Sequence, residues 1–152
     1  MRWATVIILL LADWSASSDE VWHRFDHVET TSTTSKLPLE DLPKSTPVNQ
    51  EAMLTRGSGV WSSFGDHLDD EEVTVTLGLN KPTLMKGLHV DWVLPPSFYK
   101  LTGYVEGSNT VSSEKDLVPW TAYDNPNTTQ DVSFSNNYFF NRIRLDMKQY
   151  SP

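Results

Sequence analysis

Gly59 to Val105 reads GVWSSFGDHLDDEEVTVTLGLNKPTLMKGLHVDWVLPPSFYKLTGYV. A tryptophan-led polar loop opens it. Val73, Val75 and Leu77 then alternate with Thr74, Thr76 and Gly78, the period-2 pattern of a strand with one face buried. Asn80-Lys81-Pro82 reads as the turn that closes this strand. Leu84 to Trp92 is a second strand, with Leu88, Val90 and Trp92 on one face and His89 and Asp91 on the other. Pro95-Pro96 forces an extended break. Tyr99, Leu101, Gly103 and Val105 alternate through a third strand, and Glu106-Gly107-Ser108-Asn109 turns the chain. The succession predicts antiparallel β structure with loops gathered between short strands, a layout suited to binding rather than catalysis.

Working outward, Thr110 to Asn137 is loop-heavy, holding Pro119-Trp120 in an irregular segment and a short strand at Val132 to Phe134. Tyr138 to Met147 closes the pattern, with Phe139, Ile143, Leu145 and Met147 at inward spacing. On the other side, Asp19 to Val28 is a mixed aromatic and charged segment that could open the domain. Residues 30–48 are rich in Thr, Ser and Pro, with prolines at 38, 43 and 47, and read as a long loop or linker. Asn49 to Thr55 suits a single helical turn. Short strands separated by turn signals predict an all-β, antiparallel sandwich or barrel.

A chain of 152 residues, 38% hydrophobic with six tryptophans, is one domain with material for a good core. The net charge of −8 argues against nucleic acid and anionic membranes, because the average field repels phosphate. Met1-Arg2, the apolar run Trp3 to Leu11, and the small residues Ala16, Ser17 and Ser18 have the three-part layout of a secretory signal peptide. The expectation is a leader over residues 1–17 and a secreted, extracellular domain over 18–152. The alternative for this segment is a buried N-terminal strand or helix. The run is shorter than the roughly 20 residues a membrane span needs. The chain contains no cysteine, so stability must come from the core alone. Asn127-Thr128-Thr129 is an N-glycosylation sequon, expected on a surface loop.

Five pieces, taken in order, resemble the discoidin family, the coagulation factor V/VIII type C module. They are Trp61-Ser62-Ser63, Val73 to Gly78, Gly87 to Trp92, Pro96 to Leu101, and Arg142-Ile143-Arg144-Leu145. The resemblance implies a jelly-roll β-sandwich of galactose-binding type, buried Trp61 and Trp92, and ligand-binding loops at one end of the sandwich. By position these are Thr33 to Thr46, Ser62 to Asp70 and Val93 to Phe98, with Leu37, Leu39, Phe64, His67, Leu68 and Leu94 toward their tips. Trp120 is a further stacking candidate. Arg144 falls at the family's arginine, as a structural residue pairing with a carboxylate or as a ligand contact. The chain departs from the family in lacking a cystine, and Thr55-Arg56-Gly57-Ser58-Gly59 puts a cation where relatives carry a calcium-holding acidic turn.

The second loop carries Asp66, Asp69, Asp70, Glu71 and Glu72. This disfavours phosphatidylserine binding, which needs basic residues. Asp66, Asp69 and Asp70 are weak calcium candidates, the simpler reading being a solvated acidic loop. No cofactor is expected. For catalysis there is no cysteine nucleophile, no Gly-x-Ser-x-Gly elbow and no phosphate-binding glycine loop. His23 and His27 have i, i+4 spacing without helix signals or a zincin glutamate. His67 beside Asp69 or Asp70 is an ordinary polar loop. The expected function is non-catalytic recognition or adhesion, through a glycan or a cell-surface protein. The alternative is a structural unit assembling with other chains of an adhesive complex.

Overall fold

A computed structural model describes residues 2–3, 8–16, 22–30, 53–54, 61–62, 67–68, 72–107, 114–123, 129–134 and 139–148, with the backbone alone at 2–3, 8–11, 62, 67–68 and 93–94. The strands in chain order are β1 (Arg2–Trp3), β2 (Ile8–Ser15), β3 (His23–Arg24), β4 (His27–Thr30), β5 (Trp61–Ser62), β6 (His67–Leu68), β7 (Val73–Leu84), β8 (Gly87–Leu94), β9 (Phe98–Tyr104), β10 (Lys115–Ala122), β11 (Thr129–Ser133) and β12 (Phe139–Lys148). The fold is all-β. One antiparallel sheet runs β10-β9-β12-β7-β4 and the other β11-β8-β2-β3, with β5 also pairing β2; β1 and β6 form a small ribbon.

The two sheets close on one core. Val73, Val75 and Leu77 of β7 and Ile143, Leu145 and Met147 of β12 meet Leu88, Val90 and Trp92 of β8, all buried in a single cluster with Trp61, Phe25 and Met53. The alternation expected at Val73–Leu77 and Leu88–Trp92 is therefore the inward face of each sheet. His89 and Asp91 fall on the opposite face of β8, half-buried. Of the segment expected as a helical turn, Met53 and Leu54 are described, and they form a 3₁₀ turn.

Three expectations need correction. The first strand does not end at Asn80. It continues to Leu84, because Gly78 pairs with Arg142 and Thr83 with Phe140, leaving Leu79 to Pro82 bulged opposite Asn141. Pro82 has no N–H to give a ladder, and the bulge satisfies its neighbours otherwise: the Asp26 carboxylate accepts the Asn80 N–H (2.9 Å) and Arg142 donates to the Leu79 carbonyl (3.1 Å). The same bulge inverts the phase of β12. Phe139, expected inward, is 59% exposed, while Phe140 is 2% exposed and lies over Gly103, where a Cβ would come 2.9 Å from its ring. Third, Pro119-Trp120 belongs to a strand. β10 tolerates the proline because, among the described residues, it is a sheet edge paired only to β9, with register shifts between Asp116 and Val118 and between Val118 and Thr121.

The N-terminal apolar run supplies β2. Its residues pair with β8 from Ile8↔Leu94 to Ser15↔Gly87, and with β3 and β5 on the other side. Ala12 is fully buried. Cleavage at residues 16–18, the position a secretory leader implies, would take β2 out of the middle of the second sheet.

Candidate functional site

The strand register relates the strands that lead into two of the three loops anticipated from sequence; the first, Thr33 to Thr46, lies outside the described residues. Ile8 pairs with both Leu94 and Ser62, so the segments following β5 and β8 leave the sandwich at the same end. His67 and Leu68 form β6, paired with Trp3 and Arg2. Leu94 closes β8. Pro96 is buried, and the Ser97 carbonyl accepts the Tyr123 N–H (2.9 Å), so the described part of this loop is tied to the sandwich. Leu37, Leu39, Phe64, Asp66, Asp69, Asp70 and Asn127 lie outside the described residues.

Trp120 is 38% exposed on β10. The Lys148 ammonium sits 4.5 Å from its ring centroid and is paired in turn with Glu72 (3.3 Å), so part of the indole is already taken. Arg144, in the middle of β12, is fully engaged. Its Nη1 and Nη2 donate to the two carboxylate oxygens of Glu114 (2.5 and 3.0 Å), and Nε donates to Asp146 (3.2 Å). That fork holds the Glu114 carboxyl below its usual range, chiefly through the hydrogen bond from Arg144. Trp61 and Trp92 are core residues, 0% and 2% exposed. His23 and His27 stand on different sheets, which excludes a shared helical metal face. Among the described residues no group of three or more His, Asp or Glu side chains could hold a metal ion.

The structure assembles a different site, at the opposite end of the sandwich. After β3 the chain crosses from one sheet to the other, and Phe25, 1% exposed, anchors the crossing in the core. Trp22 to Asp26 thereby becomes one wall of a groove. The β7 bulge, Leu79 to Pro82, with Thr83 beyond it, is the other wall. Asp26 staples the two: its N–H donates to the Gly78 carbonyl (2.9 Å) and its carboxylate accepts from Asn80 N–H (2.9 Å). Behind the bulge, Arg142 grips Leu79 and is itself held by Glu106 (2.9 Å). Trp14 enters from β2. Its indole N–H donates to the Arg24 carbonyl (3.2 Å) and its ring lies 4.8 Å from that of His23.

The resulting cavity, about 690 Å³, is lined by Trp14, Trp22, His23, Arg24 and Asp26 on one side and Leu79, Asn80, Lys81 and Thr83 on the other. Its size is that of a small-molecule site. Trp22 is braced from outside by His89, 5.3 Å away between ring centres, and His89 reaches Asp131 through Nδ1 (2.5 Å) and Asp91 through Nε2 (3.1 Å). Thr129 donates to the same Asp91 oxygen (3.0 Å). Two indoles are therefore fixed in orientation, which makes them rigid surfaces for a ligand face.

Sequence reasoning did not find these residues. Trp14 falls in the expected leader, and Asn80-Lys81 in an expected turn. The usable signal was the density of aromatic and charged residues over Trp22 to His27, on a segment too short to bury them all. Set against known proteins, the chain matches no family model, no curated protein and no solved structure.

Proposed function

We propose that this protein is a non-catalytic recognition module that binds a glycan in the groove between the Trp22–Asp26 crossing and the β7 bulge. The observation that carries the reading is the pairing of Trp14 and Trp22 with His23, Arg24, Asn80 and Thr83 around one cavity. Sugars present apolar C–H faces and a ring of hydroxyls. A site for them needs flat, amphipathic aromatic surfaces beside hydrogen-bonding groups, and this lining has both. The Asp26 carboxylate accepts the Asn80 N–H and serves to position the walls.

The discoidin-type jelly roll belongs to the same proposal, supported by the two-sheet core and by the burial of Trp61 and Trp92. In this reading the recognition surface sits at the end of the sandwich away from the loops after β5 and β8. The groove needs Trp14, so the reading also requires that β2 remain in the mature chain. The assembly alternative calls for a contiguous exposed apolar patch. Among the described residues the large exposed hydrophobics are Trp120 and Phe139, on strands β10 and β12; Phe139 pairs with Leu84 at the groove end, whereas Trp120 lies toward the other.

A glycan array on the full chain, with and without calcium, tests the reading. Saturable binding to a sugar class, lost in Trp22→Ala, is the expected result. A flat array together with a co-purifying protein partner would favour assembly instead.

A further inference from the structure

Deepening the glycan reading, on which it rests, we infer that the groove selects a short saccharide carrying a single carboxylate. The argument is one of charge. Four other cations are held by carboxylates: Lys100 by Asp116, Arg142 by Glu106, Arg144 by Glu114 and Asp146, Lys148 by Glu72. Arg24 and Lys81 differ. Both are exposed, both line the cavity from opposite walls, and neither has a carboxylate at ion-pairing distance among the described residues.

The one carboxylate in the lining, Asp26, is turned to the Asn80 N–H. It therefore leaves the two cations to whatever enters. His23, stacked on Trp14, adds a third nitrogen-bearing group on the same wall. A guanidinium presents a planar fork matched to a carboxylate, and an ammonium a point charge that can close on the same group from across the cavity. The indoles would carry the sugar's apolar face while the cations take the acid.

The net charge of −8 sets the size of the ligand. A long polyanion such as heparin or nucleic acid would run out of the groove onto a repelling surface. A terminal sialic or uronic acid on a short oligosaccharide would not. Two cations in one lining make the groove an exception to the chain's negative average, and such an exception discriminates between short acidic and long acidic ligands.

The test uses matched pairs: sialyllactose against lactose, and a glucuronic acid-terminated disaccharide against its carboxyl-reduced form, titrated by calorimetry into the full-length protein. The acidic member of at least one pair is expected to bind roughly tenfold or more tighter than its neutral counterpart, as a charge-assisted hydrogen-bond pair implies. Arg24→Gln and Lys81→Gln should each erase most of that preference, with unchanged thermal unfolding because both side chains are exposed. Raising salt should weaken the acidic ligand selectively. Equal binding of acidic and neutral members, or indifference to both charge substitutions, overturns the inference and leaves the glycan reading standing. No binding of any saccharide, acidic or neutral, overturns both. Tight heparin binding by the wild-type chain would overturn the size argument.

Discussion

The imidazole of His27 lies directly against the backbone of Gly78, its register partner, so closely that a Cβ at residue 78 would overlap Nε2 and Cδ2 and come 3.0 Å from Arg142 Nη1. An aromatic ring over a cross-strand glycine fills the space that the missing side chain leaves. Gly78→Ala is accordingly expected to destabilise by about 1–3 kcal/mol, the ordinary cost of overpacking. Adding His27→Ala to it should recover part of the loss, since the ring that clashes is gone. Urea midpoints of the four proteins in this double-mutant cycle check the coupling. Strict additivity would mean that the close approach is not what fixes residue 78 as glycine.

Ala12 is the point probe of β2. It is fully buried in the shared core. Placing a carboxylate there by Ala12→Asp should cost about 3–5 kcal/mol or prevent folding, because the site offers a charge neither water nor a partner. Removing residues 1–17 should have a larger effect, as β8 would lose its pairing from Ile8 to Ser15. A chain starting at Ser18 that unfolds with the same midpoint as the whole one, and binds the same glycan, would show that β2 is dispensable.

The Arg144–Glu114 fork predicts a pH effect whose sign follows from linkage. Glu114 has its folded pKa lowered from 4.5, mainly by the hydrogen bond from Arg144. A depressed carboxyl contributes stability that is present above the unfolded value and is lost as pH falls through the folded one. Glu114→Gln should therefore flatten the loss of stability below about pH 4.5, and leave the profile between pH 6 and 8 unchanged in slope. Because Glu114 is exposed, solvent screening keeps the change small. Denaturant titrations from pH 2.5 to 7 would reveal it. A steeper acid limb in the variant would contradict the assignment.

Trp22 and Trp120 separate the two ends of the sandwich. Trp120→Ala removes the ring beneath Lys148, an exposed cation–π contact worth about 0.5–1 kcal/mol, and should leave glycan binding unaltered. Trp22→Ala should abolish binding with a comparably small effect on stability, since the indole is half-exposed over Gly87 and His89. The opposite pattern, binding lost with Trp120 and kept without Trp22, would move the recognition surface to the β10 side.

Asp26 joins stability to function. Asp26→Ala leaves the Asn80 N–H without its acceptor and unpins the bulge from the crossing. The expected loss is about 1 kcal/mol of stability, with a larger fractional loss of glycan affinity. Asp26→Asn, whose side-chain oxygen can still accept, should rescue both in part. Equal affinity across the series would mean that the walls hold their spacing without the staple.

The alternation Val73–Leu77 and Leu88–Trp92 was legible because a strand between a core and solvent repeats every second residue, and that rule needs no neighbour to be known. For the same reason Ile143, Leu145 and Met147 could be placed inward from sequence. Phe139 could not. Its orientation depends on a bulge in β7, which takes its length from pairing with β12 and its stability from Asp26 and Arg142, residues far away in the chain. Trp120 was misplaced because a proline beside it argues against a central strand, whereas an edge strand accepts one.

Sequence alone determined the class of this protein: apolar residues at period two, broken by Pro, Gly and Asn, can bury one face only in sheets, and two such faces must close on each other. Tertiary structure decided which residues meet at a site. Trp14, Trp22, Arg24, Asp26 and Lys81 come from β2, the segment through β3 and the crossing that follows it, and the β7 bulge, and nothing in their spacing signals the encounter. Periodicity is a local consequence of the backbone, readable one segment at a time. A groove is a relation between segments, set only when the sheets have stacked and the chain has crossed between them.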